Sequence, residues 1–165
     1  MLYALCGVSR VGKTTILKKC LQRQPLLERL VTTTTRAPRP EEVNHVDYHF
    51  VTPQQFQEAV QIGHIVCPIL YRGECYGTAR DDLIACATRD ALAVLRPDKI
   101  NELQQFAPLL GISLSRPEHD QPVCLDDRVI MASQHVCRYR VINVPGDPDA
   151  AVTQILSIIQ THAGG

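Results

Sequence analysis

Residues 7–14 read Gly7-Val8-Ser9-Arg10-Val11-Gly12-Lys13-Thr14, the pattern G-x-x-x-x-G-K-T. This spacing suits a polyphosphate. Glycines let the backbone curl so that its N–H groups point inward around phosphate oxygens. A helix that starts at the end of the loop adds partial positive charge at the same spot. Lys13 can reach the terminal phosphates as a point charge, and the Thr14 hydroxyl can ligate Mg²⁺. Gly7, Ser9, Arg10, Val11, Gly12, Lys13, Thr14 and Thr15 are therefore expected to hold a nucleoside triphosphate, with Thr14 as the metal ligand. The alternative, a chance glycine-rich turn, fits poorly with the flanking pattern.

That flanking pattern is a strand, then the loop, then a helix. Leu2 to Cys6 is a short apolar run that ends at Gly7. Thr14 to Gln22 carries Ile16, Leu17, Cys20 and Leu21 at helical spacing. Leu30 to Thr35 is expected to be a strand or extended loop, and Ala37-Pro-Arg-Pro40 breaks any regular element. Thr52-Pro53 predicts a capped helix start, with Phe56, Ala59 and Val60 behind it. Ile65 to Tyr71 is expected to be extended and Asp81 to Ala87 helical. Later candidates are strands at Ala91–Leu95, Leu109–Leu114 and Arg140–Val144. Helices are expected at Lys99–Phe106, Leu125–Val136 and Asp149–Gln160. Strand–helix alternation predicts an α/β domain with a parallel sheet and helices on its faces.

Composition narrows the class further. The chain has 165 residues, 45% hydrophobic and 21% charged, a globular balance that suits one domain. Seventeen basic residues offset seventeen acidic ones, so a nucleic-acid coating role is not expected. No apolar run is long enough for a membrane span. The seven cysteines include no C-x-x-C pair and are odd in number, a poor disulfide or zinc framework. The six histidines carry no H-E-x-x-H spacing. The N-terminal run, with no basic stretch before it, is expected to be a first strand and not a signal peptide. These features predict a reducing, cytoplasmic setting.

A second constellation follows the loop. It reads Thr32-Thr-Thr-Thr-Arg36-Ala-Pro-Arg39-Pro-Glu-Glu42-Val-Asn-His-Val-Asp47-Tyr48-His-Phe50, and later Tyr71-Arg-Gly-Glu-Cys-Tyr76-Gly77-Thr78. A mononucleotide phosphate carries close to two negative charges. Arg36 and Arg39 could grip it with guanidinium forks, and Tyr48 and Tyr76 offer phenol donors without adding charge. Here the sequence resembles the guanylate kinase family, whose pattern is T-T-R-x-P-R-x-x-E-x-x-G-x-D-Y-x-F followed by Y-G-T or Y-G-S. The resemblance covers the first half of the chain. It implies a phosphate-loop kinase fold and a reaction in which ATP·Mg²⁺ phosphorylates GMP. It implies that Arg36, Arg39, Tyr48 and Tyr76 hold the acceptor phosphate, that Thr32 and Thr78 lie toward base or phosphate, and that Glu42 lies beside the nucleotide. Asp98 falls where the family reads the guanine amino side.

Three departures bear on that implication. Cys67, in Gly63-His-Ile-Val-Cys67, stands where the family has a glutamate that accepts hydrogen bonds from guanine. A thiol is a weak acceptor. Arg96, in Leu95-Arg96-Pro97-Asp98, replaces the first Asp of the family's D-x-D pair, which supports the metal; it either pairs with phosphate or points to solvent. The lid segment from Arg116 is short, and Arg128 is the residue that aligns with a lid arginine, with Arg116 as a substitute. Asn143 resembles the adenine-side loop. Lys13, Arg39 and Arg128 are thus the expected catalytic residues.

The expected architecture is a five-stranded parallel core over residues 1–31 and 91–165. A mononucleotide-binding insertion is expected at about 32–90, and a reduced lid at about 116–130. The expected partners are ATP and GMP or a related monophosphate, with no nucleic acid and no membrane, in a monomer or weak homodimer. Two alternatives stay open: a kinase for another nucleotide or a phosphosugar, and a catalytically weak module that binds nucleotide or protein.

Overall fold

The computed structural model describes residues 1–117, 122 and 124–162. Residues 118–121 and 123, which fall within the expected lid, lie outside the described residues. Strand β1 (Leu2–Cys6) is buried along its whole length. Such a strand needs a neighbour on both edges and cover on both faces. It pairs in parallel with β7 (Ala91–Val94) on one side and β8 (Leu109–Ser115) on the other. β2 (Glu28–Arg29) and β9 (Tyr139–Ile142) complete a five-stranded sheet of order β2-β7-β1-β8-β9, parallel throughout.

Alternation along β1 divides the core in two. Tyr3 and Leu5 pack with Ile16, Leu17 and Cys20 of helix α1 (Lys13–Arg23) and with Ile155 and Ile159 of α6 (Pro148–His162). Leu2, Ala4 and Cys6 face Leu83 of α3 (Arg80–Ala85) and Ile100 and Leu103 of α4 (Ile100–Leu103). The loop between β1 and α1 therefore leaves a rigid strand end and enters a packed helix. Among the described residues, no helix is long and apolar enough to cross a membrane.

A second sheet, of order β4-β3-β6-β5, is built from residues 33–79: β3 (Thr33–Thr34), β4 (His49–Phe50), β5 (Ile65–Tyr71) and β6 (Glu74–Ala79). The segment expected as a strand or extended loop, Leu30 to Thr35, begins just after β2 and contributes β3, so it links the two sheets. β5 and β6 form a hairpin through Arg72 and Gly73, both at positive φ, 52° and 83°. Two left-handed residues make the tight turn that matches strand twist. Gly77 lets β6 pass under α2 (Pro53–Gln61), because a Cβ there would collide with Ile65 and lie 3.2 Å from Phe56. The expected start of α2 is present. The Thr52 hydroxyl accepts from the Gln55 amide at 3.2 Å, and the Gln55 side chain accepts from the Thr52 amide at 2.9 Å.

Two expected helices are shorter than their patterns. The one after Lys99 is a 3-10 turn over Pro97–Lys99 and the single-turn α4. The one from Leu125 is α5 (Leu125–Ala132), with a separate 3-10 turn over Gln134–Val136. Proline at position 97 and the Ser-Gln-His sequence after Ala132 favour tight turns over long helices.

Asp47 ties the second sheet to the core. Its carboxylate accepts from Arg29 of β2 at 3.1 Å and from the Val43 amide at 3.1 Å, and it pairs with Lys18 of α1 at 3.2 Å. Burial raises its pKa, but the Val43 amide, Lys18 and Arg29 outweigh that and hold it below the usual carboxylate range. A depressed carboxylate stabilises the fold above its unfolded pKa, and that stability fades as pH falls through the folded pKa. Removing one partner of a buried pair costs roughly 3–5 kcal/mol. Lys18 is 46% exposed, so we take the low end. Asp47→Asn is expected to lower stability by about 3 kcal/mol at pH 7, measured by urea unfolding, with a smaller difference from wild type near pH 3.

Candidate functional site

Gly7 leaves β1 at φ 148°, and a Cβ there would strike the Leu114 carbonyl oxygen. Gly12 enters α1 at φ 95°, where a Cβ would lie 2.5 Å from the Asn143 side chain. Both glycines are thus required by close backbone approach as well as by φ. Between them Arg10 adopts φ 64°, a costly conformation for a residue with a side chain. The Lys13 ammonium arches back and donates to the carbonyls of Gly7 at 2.7 Å and Val8 at 2.6 Å. Burial lowers its pKa to about 8, against the opposing pull of the Asp127 carboxylate. Thr14 and Thr15 are exposed at the mouth of the loop.

The loop is one wall of a cleft of about 700 Å³. On it lie Gly7, Ser9, Arg10, Gly12, Lys13, Thr14 and Thr15. The other walls carry Thr32, Arg36, Arg39, Glu42, Tyr48, Cys67, Tyr76 and Thr78. Most of the residues expected in two binding sites therefore share one cavity. Arg36 holds Glu42 through two contacts, 2.8 and 2.9 Å, and lies over the rings of Tyr48 (5.4 Å) and Phe50 (5.7 Å). Glu42 also accepts the Arg39 amide at 2.8 Å. Burial would raise the Glu42 pKa, but the Arg39 amide and Arg36 reverse that and lower it. The Arg39 guanidinium is mostly exposed and 3.8 Å from Glu42. Tyr48 and Tyr76 meet edge to face at 6.1 Å, and burial raises the Tyr48 pKa, so its hydroxyl stays a donor at neutral pH.

Four expected site residues do not line the cleft. Val11 is buried beneath the loop, and its carbonyl accepts from Asn143 at 2.8 Å. Asn143 is itself buried and braces the loop from behind. Asp98 is gripped by Arg96, Nε to Oδ1 at 2.8 Å and a terminal nitrogen to Oδ2 at 3.1 Å. Arg128 is exposed on α5. The solvent-pointing alternative for Arg96 is overturned. Its side chain is only 13% exposed, lines the cleft, and also reaches Asp126 at 3.2 Å. Its three carboxylate contacts leave no net cation standing where the family pattern has an acid.

Cys67 sits at a bulge in β5 with φ 50° and lines the cleft. Burial, with Glu102 beside it, pushes the thiol up to about 12. It is a neutral thiol at pH 7, not a charged acceptor. Glu74 does bring a carboxylate to the cleft, where it accepts from the Thr35 hydroxyl at 2.8 Å.

Sequence reasoning missed Asp127, Tyr71 and Arg72. Asp127 is fully buried in the first turn of α5, and its Oδ1 accepts the Ser9 amide at 3.1 Å. The Tyr71 hydroxyl touches the Ser9 hydroxyl. Arg72, at the hairpin tip, lines the cleft. The hairpin could have been found from Arg-Gly between two apolar-aromatic runs. Asp127 carried no signal beyond an acidic helix start.

Residues 1–109 match the family model described as guanylate kinase. The chain belongs to the guanylate kinase family. The guanylate kinase of Trichormus variabilis is 34% identical over 123 residues, which cover 73% of this chain and 62% of that protein. That of Mycolicibacterium paratuberculosis is 31% identical, covering 94% of this chain and 78% of that protein. The chain spans 60–64% of the length of three of the curated family members it matches. In fold it is similar to the crystal structure of guanylate kinase from Anaplasma phagocytophilum, with a TM-score of 0.78, 19% identity, and coverage of all of this chain and 86% of the other. It is less similar to shikimate kinase from Aquifex aeolicus, with a TM-score of 0.52.

The Lys13 ammonium yields a test of the loop as an anion site. At a pKa of about 8, roughly nine-tenths is cationic at pH 7 and one-tenth at pH 9. Titration with inorganic tripolyphosphate is expected to show about tenfold weaker binding at pH 9 than at pH 7. Equal affinity at both would remove Lys13 from the site.

Proposed function

We propose that this chain transfers the γ-phosphoryl group of ATP to a nucleoside monophosphate, with GMP as the first acceptor. One observation carries the proposal: a phosphate loop and an arginine–tyrosine cluster face each other across a single cleft. A volume of about 700 Å³ is in the range of small-molecule sites. Family membership supports the same reaction.

In this reading Lys13 and the loop amides hold the β- and γ-phosphates of ATP, and Asn143 keeps the loop in shape from behind. Arg36, Arg39, Tyr48 and Tyr76 hold the acceptor phosphate. Arg36 exchanges Glu42 for phosphate, or binds it while still held, and Tyr48 donates from a phenol that stays protonated. Thr32, Thr78, Glu42 and Glu74 border the nucleoside. There is little covalent chemistry for the chain to perform. It aligns two anions and offsets their charge.

The donor set suits Mg²⁺. The Thr14 hydroxyl is a hard oxygen ligand at the loop. Among the described residues, no group of three or more His, Cys, Asp or Glu could hold a metal alone. The ion would therefore arrive largely on phosphate oxygens, with Thr14 as its protein ligand. Held there by Thr14, Mg²⁺ would supply neutralisation of phosphate charge.

The neutral Cys67 thiol and the engagement of Asp98 by Arg96 favour a second reading for the base. Two acidic readers of guanine are missing from the cleft, so an acceptor with another base or a phosphosugar fits the same phosphate cluster. The seven free cysteines suit a reducing, cytoplasmic compartment. A cleft of about 700 Å³ suits small-molecule partners, and the chain is read as a monomer or weak homodimer. The core, the insertion at about 32–90 and the lid at about 116–130 are read as one kinase unit.

The test is ADP release from ATP·Mg²⁺ with GMP, dGMP, AMP, CMP, UMP and ribose phosphates. Turnover with GMP is expected, with kcat/KM reduced on the order of 10³-fold by Lys13→Ala. Turnover on a different acceptor only would move the specificity to the second reading. Absence of turnover on every acceptor would leave a binding module.

A further inference from the structure

We propose that Arg72 is a catalytic residue, the cation that offsets charge on the transferring phosphoryl group. This inference rests on the reading of the chain as a nucleoside monophosphate kinase. The role was expected of Arg128, which is exposed on α5 and does not line the cleft.

The geometry around Ser9 points to Arg72 instead. The Ser9 amide is one of the loop's inward N–H donors, and a carboxylate oxygen of Asp127 occupies it at 3.1 Å. The second oxygen of the same carboxylate lies 3.9 Å from the Arg72 guanidinium. A chain of contacts thus runs from loop N–H through a carboxylate to an arginine. A phosphate group on the loop makes the same chain, with its oxygens in the places of the carboxylate oxygens. The Asp127 carboxylate marks an anion's position at the loop, and Arg72 is the group on that anion's far side.

Arg72 is also built to change partners. It is 47% exposed, and its 3.9 Å ion pair is loose. Its other contacts are a 3.7 Å approach to the Cys124 thiol and a stacking distance of 5.4 Å to its neighbour Tyr71. Its backbone amide meets Asp126 at 3.4 Å. The hairpin tip that carries it is fixed at the loop by the contact between the Tyr71 and Ser9 hydroxyls. The Arg72 backbone is therefore anchored beside the loop while the guanidinium is free to turn from carboxylate to phosphate.

In the reaction an oxygen of the acceptor phosphate dianion forms a bond to the γ-phosphorus of ATP. The bond from that phosphorus to the β,γ-bridging oxygen breaks, and the electron pair stays on the β-phosphate of ADP. No proton need be lost from the acceptor. Arg72 pairs with the equatorial oxygens of the group in transit, over which its charge is spread, and offsets the charge that builds toward the β-phosphate as the bond breaks.

The experiment compares wild type, Arg72→Ala, Arg72→Lys and Arg128→Ala in ATP·Mg²⁺ turnover with the best acceptor, alongside calorimetric Kd values for ATP and acceptor. Arg72→Ala is expected to lower kcat 10²- to 10³-fold while both Kd values move less than threefold. Arg72→Lys should recover part of the loss, since a point charge replaces a fork. Free guanidinium at tens of millimolar should raise the Arg72→Ala rate. A merely structural role would not respond to guanidinium. The loss in Arg72→Ala should exceed that in Arg128→Ala at least tenfold. Wild-type kcat in Arg72→Ala, or the reverse order of the two arginines, overturns the inference and leaves the kinase reading intact. If wild type turns over no acceptor, the kinase reading fails and this inference falls with it. If Arg72→Ala does not fold, Arg72→Lys decides: a kcat within twofold of wild type overturns the proposal, and a drop of tenfold or more supports it.

Discussion

The cations that line the cleft must be neutralised as the chain folds, and the protein does this with its own carboxylates; on the proposed reading the same cations meet two multiply charged anions. Arg36 lies against Glu42, Arg96 against Asp98 and Asp126, Arg72 against Asp127, and Lys99 against Glu102. Even a loop amide, Ser9, is satisfied by a buried carboxylate. Balanced composition, seventeen basic against seventeen acidic residues, is the whole-chain trace of this arrangement. On that reading phosphate replaces carboxylate at Arg36 and Arg96, whose guanidinium groups are already largely buried and oriented.

The rigid parts of the fold serve that exchange. β1 is buried along its whole length and fixes where the phosphate loop begins. Asn143 and Leu114 close in on Gly12 and Gly7 so that no side chain fits there. The Asp47 clamp holds the second sheet against β2 and α1, and the next residue along the chain is Tyr48, which lines the cleft. Position is thus set by backbone packing and one buried ion pair. Among the charged groups facing the cleft, Arg72 and Arg39 keep loose contacts with carboxylates, whereas Arg36 and Arg96 are held by short paired ones.

Much of this was legible in the residues. The apolar runs at Leu2–Cys6, Ala91–Leu95 and Leu109–Leu114 read as strands of a parallel sheet and match β1, β7 and β8 to within one residue, and the G-x-x-x-x-G-K-T loop lies between strand and helix as expected. The Thr52-Pro53 cap is present in both directions. Less legible were β4 and β6: two residues are too few for a periodic signal, and Glu-Cys-Tyr-Gly-Thr-Ala has a glycine in mid-strand that is there to let Phe56 and Ile65 pack. Arg96 was only half legible: Asp98, two residues on, supplies two of its contacts, but the third comes from Asp126, thirty residues away. Asp127 was invisible for the same reason. Its importance comes from a contact with Ser9 across 118 positions. Long-range pairs of charge carry no local pattern, whereas glycine spacing and apolar periodicity do.

The central claim is that the triphosphate and acceptor-phosphate sites share one cleft. The most direct measurement is calorimetric binding of adenosine and guanosine joined through five phosphates, with Mg²⁺, against ATP alone. Sites in one cleft predict binding at least about 100-fold tighter than ATP, since the second contact becomes intramolecular, and competition by both ATP and GMP. Affinity equal to that of ATP, with no competition from GMP, would contradict the account.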